Sequence, residues 1–310
     1  MADAPSDRPA RQATEVTEVT DAATAIAVVR EVDAALVEAD GAGVVDEAGW
    51  RDLDHRGLTD ARLWAATAAD GSPAGFALLR RVGGTHDLGL AVAPTHRGAG
   101  LGTALLDGAL ERGLVATGGR VLAWSHADHP AARHLAAARG FAPVRELLVM
   151  ERGPHDLPPL PARSDVTVRA YRPDSPADAE AVLAINTAAF AAHPEQGAMD
   201  ARDLAERMAQ DWFDPAGLLL AQDAASGEVL GFHWTKRTRA TGEVYVVGIA
   251  PAAQGRGLGK LVTLAGLHHL AAHGVERIEL YVEGDNAPAR AVYAGLGFTV
   301  AATHVQYARG

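Results

Sequence analysis

The chain has 310 residues, of which 48% are apolar, with a formal net charge of −11 and no cysteine. This length suits two domains of ordinary size or one large one, and the acidic balance argues against a protein that binds nucleic acid or an anionic membrane. Without cysteine there is no disulfide, thiolate metal site or cysteine nucleophile. The N-terminal stretch lacks the apolar segment of a secretion signal, and no apolar run has the length of a membrane span. We therefore expect a soluble, cytoplasmic protein.

Two segments of the chain are related to each other. PTHRGAGLG at 94–102 and PAAQGRGLG at 251–259 share the proline, three glycines and the leucine, and they begin 157 positions apart. ARGF ends at Phe141 and GLGF ends at Phe298, again 157 positions apart. A constant offset between two motifs predicts a tandem repeat. We expect a first domain at 1–152, a proline-rich linker at 153–165 and a second domain at 166–310.

The second copy shows its predicted elements in order. GLLLAQD and VLGFHWTKR are typical of consecutive strands, and EVYVVGIA predicts a third strand, buried on both faces. Leu258, Leu261, Val262 and Ala265 then recur at helical spacing, and Gly274 is the expected stop. RIELYVEG alternates like a strand, and DNAPARAVYAGLGF reads as a cap, a short helix and a glycine stop. This order predicts an α/β layer that occurs twice.

The glycines between strand and helix suit an anion. A helix N-terminus leaves backbone N–H groups without partners, and glycines let a phosphate approach them. The spacing fits neither a dinucleotide fingerprint, since Lys260 stands where the third glycine would be, nor a P-loop, since Leu261 stands where Ser or Thr would be. A single such turn favours a simple connection. Two copies at a fixed offset favour a phosphate site.

The same residues carry a family resemblance. Gln254-x-x-Gly257-x-Gly259, its counterpart starting at Arg97, and the downstream Asn286 and Tyr293 resemble the GCN5-related N-acetyltransferases. The resemblance implies an α+β fold of two domains, each a mixed, mostly antiparallel sheet flanked by helices, with acetyl-CoA as co-substrate. In the second domain it implies cofactor contacts from Val247, Gly248, Ile249, Gln254, Gly255, Arg256, Gly257, Leu258, Gly259, Lys260, Asn286 and Arg290. In the first domain the matching residues are Leu90, Ala91, Val92, Gly98, Ala99, Gly100, Leu101, Gly102 and Thr103.

Several longer strings narrow the resemblance. AFAAHPEQG, GFHWTK, GEVYVVGIAPAAQGRGLG and LYVEGDN together resemble the mycothiol synthases, a family of tandem acetyltransferases. The match is dense from about 166 to 310 and looser before it. It implies transfer of acetyl to the cysteinyl amine of desacetylmycothiol, with substrate contacts from Glu195, Lys236 and Tyr281 and, from the first half, Glu47.

Acetyl transfer needs a neutral amine and a proton for the leaving thiolate. An α-amine has a pKa of about 7.7–8.0, so a carboxylate acting through water suffices to deprotonate it. Taken alone, Glu243 reads as an ordinary strand residue and Tyr293 as a packing residue. The resemblance places Glu243 at the general base and Tyr293 at the general acid.

The 157-residue offset compares the copies position by position. It equates Tyr293 with Ala136, Asn286 with His129 and Glu243 with His86. We therefore expect the second copy to catalyse, and the first to bind acetyl-CoA or only to shape the cleft. Two alternatives remain open: another tandem acetyltransferase acting on an aminoglycoside or a protein amine, and an acyl-CoA-binding regulator without turnover.

Three histidines of the second repeat raise the question of a metal site. His268, His269 and His273 share one predicted helix, but no suitably placed carboxylate is evident in the sequence, so we expect a solvated face and no metal. Two copies in one chain already supply a two-domain unit, and we expect a monomer whose partner is a small-molecule amine.

Overall fold

The computed structural model describes residues 15–114, 119–191 and 199–310. The chain forms two units, the first made of residues up to Glu146 together with His304–Gly310, the second made of Leu147–Thr303. No helix in the described part of the chain is both long and apolar enough to cross a bilayer.

The first repeat supplies most of the first unit. Its elements in chain order are β1 (Val16–Val19), α1 (Ala22–Asp40), α2 (Glu47–Arg56), β2 (Ala61–Thr67), β3 (Pro73–Val82), β4 (Thr85–Val92), α3 (Leu101–Gly108), a π-helical segment (Ala109–Leu114), β5 (Arg120–Ser125), α4 (Pro130–Ala138) and β6 (Ala142–Arg152). Strands β1 to β4 pair as an antiparallel series, and β5 lies parallel to β4.

The second repeat has the same order of strands. Its elements are β7 (Val166–Ala170), α5 (Pro176–Ala189), α6 (Ala201–Met208), β8 (Leu218–Asp223), β9 (Val229–Thr238), β10 (Thr241–Ile249), α7 (Leu258–Ala272), β11 (Arg277–Glu283), α8 (Ala287–Ala294) and β12 (Thr299–Arg309). Strands β7 to β10 are antiparallel and β11 is parallel to β10. The predicted fold class, a mixed and mostly antiparallel sheet with flanking helices in each repeat, is confirmed.

The last strand of each repeat pairs in the other unit. Residues 305–309 of β12 lie antiparallel to β5 in the first unit, and residues 147–152 of β6 lie antiparallel to β11 in the second. The domain boundaries predicted at 152 and 166 follow the repeat, whereas the units divide at Glu146 and Thr303. A sequence repeat identifies equivalent strands, but it carries no information about which sheet each strand joins.

A β-bulge interrupts β10 in the second unit. Val244 lies opposite Thr235 of β9 and Val246 lies opposite Trp234, so Tyr245 is the extra residue. Such a bulge changes which side chains face each side of the sheet. Val244 packs against the leucines of α7, whereas both Tyr245 and Val246 pack in the cluster on the α5 face. The bulge was not predicted, because nothing in EVYVVGIA marks an unpaired residue.

Helix α7 packs closely on β9 and β10. A Cβ atom on Gly266 would lie 2.0 Å from Nδ1 of His233, so only glycine fits opposite this histidine. The Nδ1–H of His233 donates to the carbonyl oxygen of Val262 at 3.0 Å, and burial lowers the pKa of His233 to about 4. This imidazole is therefore neutral at neutral pH and joins the helix to the sheet from within the core.

Candidate active site

The glycine loop of the second unit has the geometry of an anion site. Gly255 and Gly257 have φ angles of 79° and 75°, in the region that favours glycine, and Gly257 precedes the first residue of α7. No side chain caps that end of the helix, so its first backbone N–H groups have no side-chain acceptor. A Cβ on Gly255 would meet no atom within 4 Å, which leaves room for a ligand above the loop.

The end of the predicted linker supports this loop. Arg163 donates to the carbonyl oxygen of Arg256 at 2.8 Å and forms two hydrogen bonds with the carboxylate of Asp165. These bonds hold the pKa of Asp165 well below its usual range. Arg256 itself contacts Asp165 at 3.2 Å, so its charge is shared with a carboxylate. This support was not predicted, because the prolines of 153–165 indicate only a spacer.

The bulge places two predicted cofactor residues, Val247 and Ile249, on the face of β10 opposite to Glu243. Val247 and Ile249 pack beside the leucines that begin α7, on the side of the glycine loop. Gly248 lies on the other face, where a Cβ would be 2.6 Å from Phe232. Glu243, next to the α7-facing Val244, is directed away from α7. The pairing of β10 with β11 runs from Thr241 to Val244, and it ends where the bulge begins.

Polar side chains form a row across the face that carries Glu243. Glu243 lies directly opposite Glu279 of β11 on one side and Lys236 of β9 on the other, and Glu279 lies opposite Glu151 of β6. Neighbouring carboxylates at such positions repel one another. Arg277 also lies 3.5 Å from Glu279, so three carboxylates lie beside two basic side chains, and this balance favours a cationic ligand. Glu151 and Glu279 were not singled out in the sequence, because the strand order that joins them was unknown.

Lys236 and Tyr281 both belong to this face. Nζ of Lys236 lies 5.0 Å from the ring centroid of Trp212 and 5.3 Å from that of Tyr245, as cation–π contacts. Tyr281 is 45% exposed, and the partial burial of its ring together with Glu279 and Glu243 raises its pKa to about 12. The structure thus brings together three of the predicted residues, Glu243, Lys236 and Tyr281.

Tyr293 lies on the opposite side of the sheet, on α8. Asn286 caps this helix by accepting a hydrogen bond from the amide of Ala289, and Arg290 donates to the carbonyl oxygen of Gly284 at 2.7 Å. Tyr293 packs against the apolar cluster that also contacts Val247 of β10. Burial raises the pKa of its phenol to about 12, so the phenol keeps its proton at neutral pH.

The first unit repeats the loop. Gly98 and Gly100 have φ angles of 75° and 85°, and a Cβ on either would meet no atom within 4 Å. Leu90, Ala91 and Val92 end β4, and Leu101, Gly102 and Thr103 form the first turn of α3, as predicted from the repeat. Arg97 pairs through both terminal nitrogens with the carboxylate of Asp40.

The prediction that Glu243 of the second repeat corresponds to His86 of the first is wrong. In β3 and β4, Arg80 lies opposite Asp87, as Lys236 lies opposite Glu243 in β9 and β10. The offset is therefore 156 before the bulge (243 − 87, 236 − 80) and 157 only after it. The counterpart of Glu243 is Asp87, and it forms an ion pair with the buried Arg80. One inserted residue, Tyr245, accounts for the shift.

Glu195 falls outside the described residues, and Glu47 is the first residue of α2 in the first unit.

The expectation that no carboxylate accompanies the α7 histidines is also wrong. Oδ2 of Asp214, which precedes β8, accepts a hydrogen bond from Nε2 of His269 at 3.1 Å. Asp214 is distant in sequence from this helix, so spacing did not indicate it.

The family that matches this chain matches it twice, once in each repeat. The family model described as the acetyltransferase (GNAT) family matches residues 30–141 and 181–298. A protein named mycothiol acetyltransferase from a Nocardioides species is 55% identical over 93% of this chain and 99% of its own. One of the same name from Nocardia farcinica is 46% identical over 90% of this chain and 92% of its own.

Two solved structures share the fold. A GCN5-related N-acetyltransferase from Sphaerobacter thermophilus matches with a TM-score of 0.72 and 24% identity over 95% of each chain. A tandem GNAT protein from the clavulanic acid biosynthesis pathway matches with a TM-score of 0.70 and 21% identity, over 95% of this chain and 98% of that one.

Proposed function

The chain belongs to the acetyltransferase (GNAT) family and, within it, to the mycothiol acetyltransferases, and from this premise we propose that it transfers acetyl from acetyl-CoA to the cysteinyl amine of desacetylmycothiol. The proposal rests on the arrangement of the second unit. An open glycine loop lies on one face of the sheet, and a row of carboxylates lies on the other face.

The cofactor pyrophosphate binds the glycine loop at the N-terminus of α7. Hydrogen bonds to a charged group contribute about 1.5–3 kcal/mol each, more than the 0.3–1 kcal/mol of the helix dipole, so the backbone amides dominate its affinity. The acetyl-pantetheine arm follows Val247 and Ile249 along the end of β10. The gap where β10 and β11 part, after Val244, lets the thioester meet the amine held on the other face.

Glu243 removes the amine proton through a water molecule. The neutral amine nitrogen then attacks the thioester carbonyl and forms the C–N bond, the nitrogen loses its second proton to solvent, and the C–S bond breaks. Tyr293 gives its proton to the departing CoA thiolate. A phenol with a pKa of about 12 is fully protonated at the start of the step, and the proton from Glu243 restores it by way of solvent. The proposed proton transfers use these side chains and no metal ion.

The acceptor lies on the face of Glu243. The carboxylates of Glu279 and Glu151 attract a protonated amine, and Lys236 and Tyr281 offer donors to the hydroxyl groups of a sugar. Glu195 and Glu47 remain proposed contacts of the same substrate. Since one chain holds both repeats, we propose that it acts as a monomer.

The first unit does not transfer acetyl in this proposal. Ala136 stands in place of the phenol, and Asp87 is neutralised by Arg80, which also lies 3.4 Å from Asp46 and 3.7 Å from Asp52. The first repeat keeps a loop that suits a cofactor, but it has Ala136 where the second repeat has the phenol of Tyr293.

The test measures CoA release from acetyl-CoA with desacetylmycothiol, glucosamine, an aminoglycoside and a peptide amine. We expect a strong preference for desacetylmycothiol and a loss of kcat of about 10²-fold or more in Tyr293→Phe. Because of the raised pKa, the kcat of the wild type should show no alkaline decline from Tyr293 below pH 10. Turnover of a different amine would replace the acceptor and keep the acetyltransferase. Binding of acetyl-CoA with no amine acetylated would contradict the proposal.

A further inference from the structure

Three metal-ligand side chains converge at the far end of α7. Ligand atoms of Asp214, His269 and His273 all lie within 4.8 Å of one another. His269 and His273 are one helical turn apart, so their rings point to the same side, with centroids separated by 4.3 Å. Asp214 reaches them from the turn that precedes β8. We propose that these three residues bind a divalent transition-metal ion of the Zn²⁺, Co²⁺ and Ni²⁺ class.

The hydrogen bond of His273 leaves its Nε2 for a metal, and a metal would replace the proton between His269 and Asp214. Nδ1 of His273 lies 2.7 Å from the carbonyl oxygen of His269, and this bond fixes the tautomer that keeps Nε2 as a lone-pair donor. Metal-bound histidines in proteins are oriented by such bonds from the second ring nitrogen. Oδ1 of Asp214 accepts from the amide of Ala216 at 2.9 Å, and Oδ2 faces Nε2 of His269 at 3.1 Å.

The distances suit one ion after small side-chain adjustments. Two ligand atoms of a tetrahedral zinc ion are separated by roughly 3.4 Å, given metal–ligand bonds of about 2.0–2.1 Å. The 3.1 Å between Asp214 and His269 is close to that value, and the exposed His273 can rotate to close the rest. Two imidazoles and one carboxylate favour borderline metals over Ca²⁺ or Mg²⁺, which prefer oxygen. Water would occupy the remaining positions.

The local backbone is shaped around His269. A Cβ on Gly217 would lie 3.0 Å from Nε2 of His269 and 2.3 Å from Oγ1 of Thr235, so the turn after Asp214 accepts glycine alone. His269 is only 14% exposed in its side chain, against 35% for Asp214. The site therefore has a largely fixed histidine, a capped carboxylate and one adjustable exposed ligand.

The site is remote from the proposed chemistry. His269 follows the first residue of α7 by eleven positions, about 17 Å along the helix from the glycine loop. A metal here would join the end of α7 to the turn before β8 and would stabilise the second unit without touching the acetyl group. This role does not depend on the proposed acetyl transfer.

The test uses the full-length protein with no added histidine tag, treated with a chelator and then titrated with Co²⁺ and Zn²⁺. We expect one Co²⁺ per chain with visible d–d absorption, displacement by Zn²⁺ but not by Ca²⁺, and a rise in Tm of a few degrees at saturating Zn²⁺. His273→Gln and Asp214→Asn should each weaken Zn²⁺ binding at least tenfold and abolish the rise in Tm.

His268→Gln is the matched control, because His268 lies on the same helix but its Nε2 bonds to the carbonyl oxygen of Pro158. It should bind metal like the wild type. Acetyl transfer should be the same in His273→Gln as in the wild type. Absence of Zn²⁺ binding below millimolar concentration, or binding that both ligand variants retain, would overturn the proposal.

Discussion

The two repeats share a fold and a loop but differ at the positions that we propose for the chemistry. Both have glycines of positive φ before a helix without a side-chain cap. In the second repeat the acid on the fourth strand is Glu243, which lies opposite Lys236 of β9 and Glu279 of β11. In the first, Asp87 is held by Arg80, which is buried among further aspartates. The glycine loop is therefore present in both repeats, whereas the tyrosine that we propose as the acid is present in the second repeat only.

The bulge is the second difference between the repeats. Strand β4 pairs with β3 without interruption from Val82 and Thr85 to Gly75 and Val92, whereas β10 carries Tyr245 as an extra residue. One residue thus changes the phase of the strand in the repeat that we propose to be catalytic. The fold tolerates both arrangements.

The largest expected effect is a difference in turnover between variants of Glu243 and of Asp87. Glu243→Gln should lower kcat/KM for desacetylmycothiol by roughly 10²-fold, because the proposed general base is lost. Asp87→Asn should leave turnover unchanged and lower Tm, because the buried Arg80 loses its nearest carboxylate. Steady-state kinetics and thermal unfolding of both variants make the comparison. Equal losses of turnover would mean that the first repeat also takes part in catalysis.

A smaller effect is expected on the KM for acetyl-CoA when the glycine loops of the two repeats are changed in turn. Gly257→Ala and Gly100→Ala introduce the same strain, since both residues have positive φ, and both add a Cβ above a helix N-terminus. We expect Gly257→Ala to raise the KM for acetyl-CoA about tenfold, equivalent to about 1.4 kcal/mol, and Gly100→Ala to leave it unchanged. A matching rise in KM with Gly100→Ala would place the reacting cofactor in the first repeat instead.

The smallest effect concerns His233, whose counterpart in the first repeat is Ala77. The pKa of His233 is about 4 in the folded protein against 6.5 for the unfolded chain, so the unfolded state binds more protons between these values. Stability contributed by the neutral imidazole is therefore present above pH 6.5 and is lost as pH falls towards 4. The loss between pH 6.5 and 5.5 is about 1 kcal/mol.

The first repeat suggests a double variant that removes the dependence of stability on pH caused by His233. Gly266 corresponds to Ala109, which packs in the same buried cluster as Ala77. The double variant His233→Ala with Gly266→Ala should fold and lose about 1 kcal/mol less than wild type over that pH interval, measured by urea unfolding. Gly266→Ala alone should be strongly destabilised, because its Cβ would overlap the imidazole. An unchanged pH dependence in the double variant would show that another group causes it.

Much of the candidate site follows from local sequence. The glycine loops, the alternation of Ile278 and Leu280 with Glu279 and Tyr281, and the capped helix at Asn286 all appear in the structure as predicted. These features depend on residues near one another in the chain, where spacing alone sets the geometry. Roles for Glu243 and Tyr293 came from family resemblance and stay predictions until the variants are measured.

The sequence by itself determined that two related copies exist, where their loops lie and which family they resemble, because repeats and turn residues are local patterns. Four features follow only from the tertiary structure: Tyr245 forms the bulge, Asp87 and not His86 matches Glu243, the final strand of each repeat pairs in the other unit, and Asp214 contacts His269. Each of these depends on hydrogen-bonded or packed partners far away in the chain, and the offset of a repeat does not contain that pairing.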